Sequence, residues 1–582
     1  VFSVNAKAIH SDMPSNDVVY NNGHQLGLVY IDQFLDGTLG VATNVTFSNR
    51  PMINAEYRSK RKPEQMVVKA RDANGGFGDL NGDGNVDFVT TEPWVETDVV
   101  EKEQLGLGFA LQWRPNDDWE VNLDALYSYD NKTGYKHWQR FLPRGNTKYS
   151  NLVTDDSAVG SAFTNAGTEV NGALVTSADV EFSQYMAQFL NHQIEDETKA
   201  IGLNIARSFG DGWKVSGDLA YSYADDHNGL DNMSFKRNNV GYSLDISEDW
   251  PTVTNVHDSK TGDAIDLTNP NFSSNINTGF KAIFWNEGIT YREDEVTSAR
   301  LDFDKYLEFG MFTHVSFGVR AVERTKKDWK NNLVVATNSP FCADGVSADG
   351  LTTGPQCTVD VANQVFNASN PYSNVSSGSG FLQGFNMNFD DILAIRGPTT
   401  QAEIDGRPAD ALKNATERYT IDEEYLSLYV RADFEHEIGD TFIWGNLGLR
   451  YVDTQTISTN HTDTFRVTTD STGSIDDVFV RAVDLDNVNF LANVSEYSNL
   501  LPSVNVVIEP HEEFQIRLAA GQTMTRPQFP DLGKALKITG GPNASDPTSA
   551  GSPIQATAGN PFLKAYTSNQ FDASFEWYPS DD

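Results

Sequence analysis

The chain has 582 residues, with 43 Lys+Arg against 81 Asp+Glu, so its formal net charge is −38. This acidity argues against nucleic acid as a partner, because binding phosphate needs a basic footprint. A hydrophobic content of 39% argues against disorder, two cysteines cannot staple a small secreted scaffold, and no apolar run reaches the roughly 20 residues of a membrane helix. The chain begins at Val1 and Phe2 with no initiator Met or signal peptide, and it reads as a piece of a longer precursor.

The elements in chain order share a period of two. Leu39, Val41, Val45 and Phe47 alternate with Gly40, Ala42, Asn44, Thr46 and Ser48. Leu105, Leu107, Phe109, Leu111 and Trp113 alternate with Gly106, Gly108, Ala110 and Gln112. After a turn the pattern resumes at Val121, Leu123, Ala125, Tyr127 and Tyr129, with Asn122, Asp124, Leu126 and Ser128 between them. Further copies are Ile201/Leu203/Ile205, Leu219/Tyr221/Tyr223, Val315/Phe317/Val319 and Leu426/Leu428/Val430. The series ends with Leu447/Leu449/Tyr451, Val504/Val506/Ile508 and Phe571/Ala573/Phe575/Trp577. A strand sends successive side chains to opposite faces, so each segment has one apolar face and one small or polar face. About fourteen such strands are expected.

The connections choose between a soluble sandwich and a barrel. Short turns such as those at Asp36, Asp117, Asp211 and Gly439 alternate with long links near 48–103, 131–197, 224–295, 324–420, 455–495 and 525–566. Compact soluble domains rarely carry many such links, whereas outer-membrane barrels combine short periplasmic turns with long extracellular loops. Trp113, Trp119, Trp213, Phe442, Trp444, Phe514, Trp577 and Tyr578 gather beside the short turns, where an interfacial girdle sits. The predicted fold is therefore an all-β, transmembrane antiparallel β-barrel spanning 1–582, its apolar rows facing outer-membrane lipid. Asn122, Asp124, Asn204, Asp218, Arg431, Asp433, Asn446, Arg450, Asp572 and Glu576 then face a wet lumen.

Several phrases on these strands resemble TonB-dependent outer-membrane receptors. They are 111–120 with 123–128, Gly445–Thr454, Leu501–Asn505, Arg517–Gly521, Thr525-Arg526-Pro527, Gly559–Lys564 and Phe571–Tyr578. Their order is similar to the large-loop proteobacterial branch associated with carbohydrate uptake. The resemblance implies a barrel of about 22 strands closed by a plug, located in the outer membrane of a Gram-negative bacterium. By this pattern the sequence is a fragment that lacks the plug and the C-terminal strands. It further implies active transport driven by the TonB–ExbB–ExbD complex through the missing plug, with an oligosaccharide as the ligand, and it admits a surface lipoprotein partner. A siderophore or other metal chelate, or a surface adhesin on a passive barrel, are the alternatives.

Local motifs add candidate sites. In the 48–103 link, Asp79, Asn81 and Asp83 place oxygens at alternate positions, Gly84 permits a tight turn, and Asn85 and Asp87 complete a calcium-type loop. This spacing resembles dockerin and integrin-type calcium loops, but Thr90 stands where a bidentate Glu belongs, leaving completion to a residue such as Glu92. A structural calcium ion is expected there. In the 324–420 link, Cys342 and Cys357 would oxidise at a cell surface, and closing a loop of ~15 residues contributes roughly 3 kcal/mol. Trp94, Trp138, Trp250, Trp285 and Trp329 lie in the long links, where aromatic faces stack on sugar rings. The net charge disfavours polyanionic ligands unless calcium or a local basic patch compensates. No catalytic residue is expected: His436-Glu437 lacks the two-His zinc motif, Ser377–Gly380 lacks a nucleophile elbow, and Asp422-Glu423-Glu424 lies at a strand end.

Overall fold

A computed structural model describes residues 1–10, 22–59, 86–88, 92–144, 146–155, 163–165, 168–170, 172–247, 252–273, 275–336, 366–373, 383–387, 417–461, 464–469, 475–482, 490–534, 537–541 and 552–579. The fold is built on fourteen long strands. They are β1 (Phe2–His10), β2 (Asn22–Phe34), β3 (Leu39–Ser59), β4 (Pro93–Asn116), β5 (Trp119–Leu142), β6 (Gly172–Phe209) and β7 (Trp213–Asp245), followed by β8 (Lys281–Phe309), β9 (Phe312–Ala336), β10 (Glu417–Ile438), β11 (Thr441–His461), β12 (Phe490–His511), β13 (Phe514–Thr525) and β14 (Tyr566–Trp577). Each pairs antiparallel with its sequence neighbour, giving a simple up-and-down meander. No helix among the described residues is long and apolar enough to cross a membrane.

Turn chemistry explains the tight ends. Between β6 and β7, Asp211 (φ 64°) and Gly212 (φ 77°) adopt left-handed backbone, and Gly439 (φ 63°) does so between β10 and β11. These positions turn the chain back within two or three residues, as hairpins require. The strands themselves far outrun the apolar band. β6 has 38 residues, and at about 3.3 Å per residue it is several times longer than the roughly 25 Å that a bilayer needs.

Cross-strand register sets the two faces. On β10 and β11, Leu428 lies opposite Tyr451, Val430 opposite Leu449 and Ala432 opposite Leu447, so the apolar row is continuous across the pair. These side chains are exposed rather than packed in an interior: Leu219 is 60% exposed and Leu428 49%. On β7 the outward row runs from Trp213 through Val215, Leu219 and Tyr221 to Tyr223. Its length agrees with the roughly 9–11 residues that a tilted membrane strand takes. Beyond it the same face carries Asp225, and the facing strand carries Glu197 and Glu195.

The long links expected at 131–197, 224–295 and 324–420 are therefore corrected in part. β5, β6, β7, β8 and β9 continue deep into them as paired strand. Neither face touches hydrocarbon there, so hydrophobic alternation stops although the ladder does not.

Above the band, the outward face of β5, β6 and β7 becomes apolar again and is covered. Phe141, Tyr185, Phe189, Met233 and Phe235 are buried, together with Val240, Tyr242 and Leu244. The register shifts near Phe182 (φ 59°) and Asn239 (φ 58°). This bulge swaps the alternation, so even-numbered residues of β7 continue a face begun by odd-numbered ones. The cover is the segment 252–280. Its strand Thr252–Asp258 pairs with the end of β7, and Val253, Leu267, Phe272 and Phe280 close the cluster. An Arg237–Asp258 ion pair at 3.1 Å ties the cover to β7.

Candidate functional site: the inner wall and its basic cavity

Within the membrane-spanning part, the face opposite the apolar rows is a hydrogen-bonded polar wall. Register places Gln112, Asn122, Asn204, Asp218 and Arg300 side by side on five successive strands. The Asn204 amide donates to Asp218 at 2.9 Å, and Asn122 donates to Asn204 at 3.5 Å. Lower down, His314 lies between Asp433 (2.8 Å) and Asp304 (3.4 Å), and Arg431 pairs with Asp433 at 2.6 Å. Asn505 donates to Asn446 at 2.9 Å, Arg450 donates to Ser427 at 3.0 Å, and Arg517 meets Glu576 at 2.9 Å. The polar residues expected to face the lumen thus share one face, and most of them pair with one another there. One patch of that face is apolar, formed by Val29, Ile31 and Leu126 around small residues such as Gly108 and Ala200.

A cavity in the wall lies just beyond the membrane band. After β13 the chain crosses the inner face of β10 and β11 and forms a short helix, α1 (Phe529–Gly533). Leu532 is buried against Tyr419 and Ile421 of β10, and Phe529 and Leu563 pack beside them. Close approach dictates two glycines. A side chain at Gly533 would run into the Tyr419 ring, and a Cβ at Gly559 would lie 2.7 Å from the Lys534 nitrogen. Gly559 N–H donates to the Lys534 carbonyl at 2.8 Å, and Asn560 N–H to that of Asp531 at 2.7 Å. Two of the phrases that resemble the receptor family, Thr525-Arg526-Pro527 and Gly559–Lys564, thus form one docked strap.

Under the strap is a cavity of about 900 Å³ bordered by Arg292, Asp294, Arg324, Lys326, Asp328, Tyr419 and Glu423 from the wall, and by Arg526, Phe529 and Lys534 from the strap. Arg324 grips Asp294 with two hydrogen bonds, at 2.8 and 2.6 Å, and lies 4.6 Å from the Phe529 ring centre. Burial would raise the Asp294 pKa, but Arg324 and Lys326 outweigh it and hold the carboxyl below its ordinary value. At Glu423 burial wins over Arg526 and Arg324, and the pKa is raised. Asp422 and Glu424 point to the other face of the strand, as alternation demands, so the 422–424 carboxylates do not converge in a pair.

The sequence-predicted aromatics separate into groups. Trp94 and Trp138 meet, with ring centres 5.0 Å apart and the Arg140 guanidinium over both at 5.4 and 6.0 Å. Register puts both on the inner face. Trp329 lies on the opposite face, 5.5 Å from Tyr291. Trp285 falls within β8, but its side chain is outside the described residues, as is the whole of Trp250. Of the calcium-type loop, Asp87 is described: it is buried on the strand Val86–Phe88, which pairs with Gly172–Leu174. Asp79, Asn81, Asp83 and Asn85 lie outside the described residues, as do Cys342 and Cys357. The basic lining residues escaped the sequence reading. Their signal was the phrase around Arg526, whose partners sit about 100 to 230 positions away in the chain and come together only through barrel register.

Comparison with curated proteins finds no match. The family model described as "TonB dependent receptor-like, beta-barrel" matches residues 252–582, more than half of the chain. With its all-β antiparallel meander, lipid-type outer rows and polar inner wall, the chain belongs to the TonB-dependent receptor β-barrel family, whose members are outer-membrane transporters that take up nutrients.

Proposed function

We propose that this barrel wall serves uptake of an oligosaccharide. The observation that carries the reading is the inward-facing Trp94–Trp138 pair with Arg140 above it, set over a wall rich in amide and carboxylate groups. Aromatic faces accept the apolar faces of sugar rings, while Asn, Gln and Asp hydrogen-bond hydroxyls. In this reading the TonB–ExbB–ExbD complex drives release through a plug. Calcium at the 79–87 loop and a Cys342–Cys357 disulfide pin the extracellular loops. The outer edges of β1 and β14 have no partner strand among the described residues. Open edges are not viable in lipid, which supports completion of the barrel by further strands.

The test is titration calorimetry of the full chain in detergent against a panel of short oligosaccharides, with the Trp138→Ala variant alongside. The reading expects at least one sugar to bind and Trp138→Ala to weaken it by about tenfold, a loss of about 1.4 kcal/mol. Absence of binding to any sugar refutes it.

A further inference from the structure

We propose that the cavity beneath the 526–534 strap seats a carboxylate group carried by the ligand. This rests on the transport reading above and adds the chemistry that the ligand must bring. Five cations border the cavity, Arg292, Arg324, Lys326, Arg526 and Lys534, against three carboxylates, Asp294, Asp328 and Glu423. A chain of net charge −38 therefore carries a locally cationic hollow on its inner wall. The acidity that disfavours anionic ligands elsewhere is reversed at this place.

The ion pairs show which charges are left over. Asp294 is taken up by Arg324 and by Lys326 at 3.3 Å. Asp328 accepts the Tyr419 hydroxyl at 3.3 Å and lies 3.5 Å from Arg292. Glu423 is 3.6 Å from Arg526, beyond hydrogen-bond length. The Arg526 Nε is buried without an acceptor. Lys534 is exposed and forms no ion pair among the described residues. Arg526 is already engaged by Glu423 and the Tyr425 ring, so the uncommitted cation on the cavity border is Lys534 of the strap. A carboxylate is a single-charge acceptor that the Lys534 ammonium can meet, with the guanidinium groups of the cavity border adding positive potential. The second charge of a phosphate would be opposed by Asp294, Asp328 and Glu423. Tyr419 and Phe529 supply apolar wall for the body of the ligand, and the volume lies in the range of small-molecule sites.

Two sources share this chemistry, an acidic sugar and a carboxylate chelate of iron. The experiment uses the full chain in detergent, with calorimetric titration of galacturonate and alginate oligosaccharides, their methyl esters, and ferric citrate. The expected result is that an acidic oligosaccharide binds about tenfold more tightly than its ester. Lys534→Gln should remove most of that preference by weakening the acid about tenfold more than the ester, and Arg526→Gln should do the same if the strap stays docked, which hydrogen exchange over 526–534 reports. Equal affinity for acid and ester, or a preference that survives Lys534→Gln, overturns the carboxylate site and leaves the oligosaccharide reading standing. Ferric citrate binding that is lost on Lys534→Gln, with no sugar bound, keeps the site and refutes the oligosaccharide. Binding of none of these probes refutes both.

Discussion

Glu423 of β10 and Arg526 of the strap face each other at 3.6 Å, and the Arg526 guanidinium lies 3.9 Å from the ring centre of Tyr425, two residues along the same strand face. One arginine thus links the end of β13 to the inner wall by charge and by cation–π contact at once. Replacing it removes both contacts and leaves a largely buried carboxyl group behind. Arg526→Ala should therefore loosen the 526–534 segment by about 1–3 kcal/mol. Glu423→Gln in the same background should recover part of the loss. Hydrogen exchange over that segment is the readout, and an unchanged protection pattern in Arg526→Ala would remove the strap from this role.

The covered cluster above the membrane band behaves as a small core of its own. Phe235 is fully buried and contacts Phe189 and Phe272 at centroid distances of 6.1 and 5.5 Å. Phe235→Ala should cost about 3–5 kcal/mol, releasing the segment 252–280 to proteolysis while the membrane strands keep their β circular-dichroism signal.

Two histidines of this covered unit titrate with opposite consequences. His137 is fully buried and its pKa is pushed down to about 3. It stays neutral in the fold, so its contribution is present above the unfolded value of about 6.5 and fades as pH falls below it. His257 contacts Glu181 at 2.8 Å and the Asn255 carbonyl at 2.7 Å. Burial alone would lower its pKa, but the Asn255 carbonyl, Glu181 and Asp179 leave it raised. That contribution is complete below the unfolded value and is lost as pH rises through the folded one. His257→Asn should lower the unfolding temperature more at pH 5 than at pH 8. His137→Phe should flatten the decline on the acid side. Thermal unfolding followed by intrinsic fluorescence at both pH values checks the pair.

Much of the fold is legible from the sequence because lipid and water enforce a period of two wherever a strand crosses the bilayer. Leu219 beside Asp218, and Val430 beside Arg431, declare their faces without any knowledge of partners. The strand extensions are not legible for the same reason: at Asn131–Gly134 or Asp225–Asn228 both faces meet water or protein, and the pattern vanishes while the pairing persists. The bulge at Phe182 and Asn239 hides the covered cluster further, since it breaks the parity of its apolar residues. The cavity is a product of register. Arg324 meets Asp294 and faces Glu423 because β8, β9 and β10 align there, a relation that no local spacing encodes.

The two faces should respond unequally to charge. Leu219→Arg places a guanidinium in the outward row and should cost about 2–4 kcal/mol in folding into lipid. Asp218→Asn, one residue away, keeps a hydrogen-bond acceptor for Asn204 and should change stability by less than about 1 kcal/mol. Urea titration of folded fractions in lipid vesicles compares them.

The central claim is that the exposed apolar rows meet hydrocarbon while their neighbours line water. Nitroxide labels placed one at a time at positions 218, 219, 430, 431, 446 and 449, in protein reconstituted into vesicles, measure this directly by collision with oxygen and with a water-soluble nickel chelate. Positions 219, 430 and 449 should favour oxygen, and positions 218, 431 and 446 the nickel chelate. Equal nickel accessibility at both sets, or a reversed pattern, would contradict the barrel orientation on which the transport reading stands.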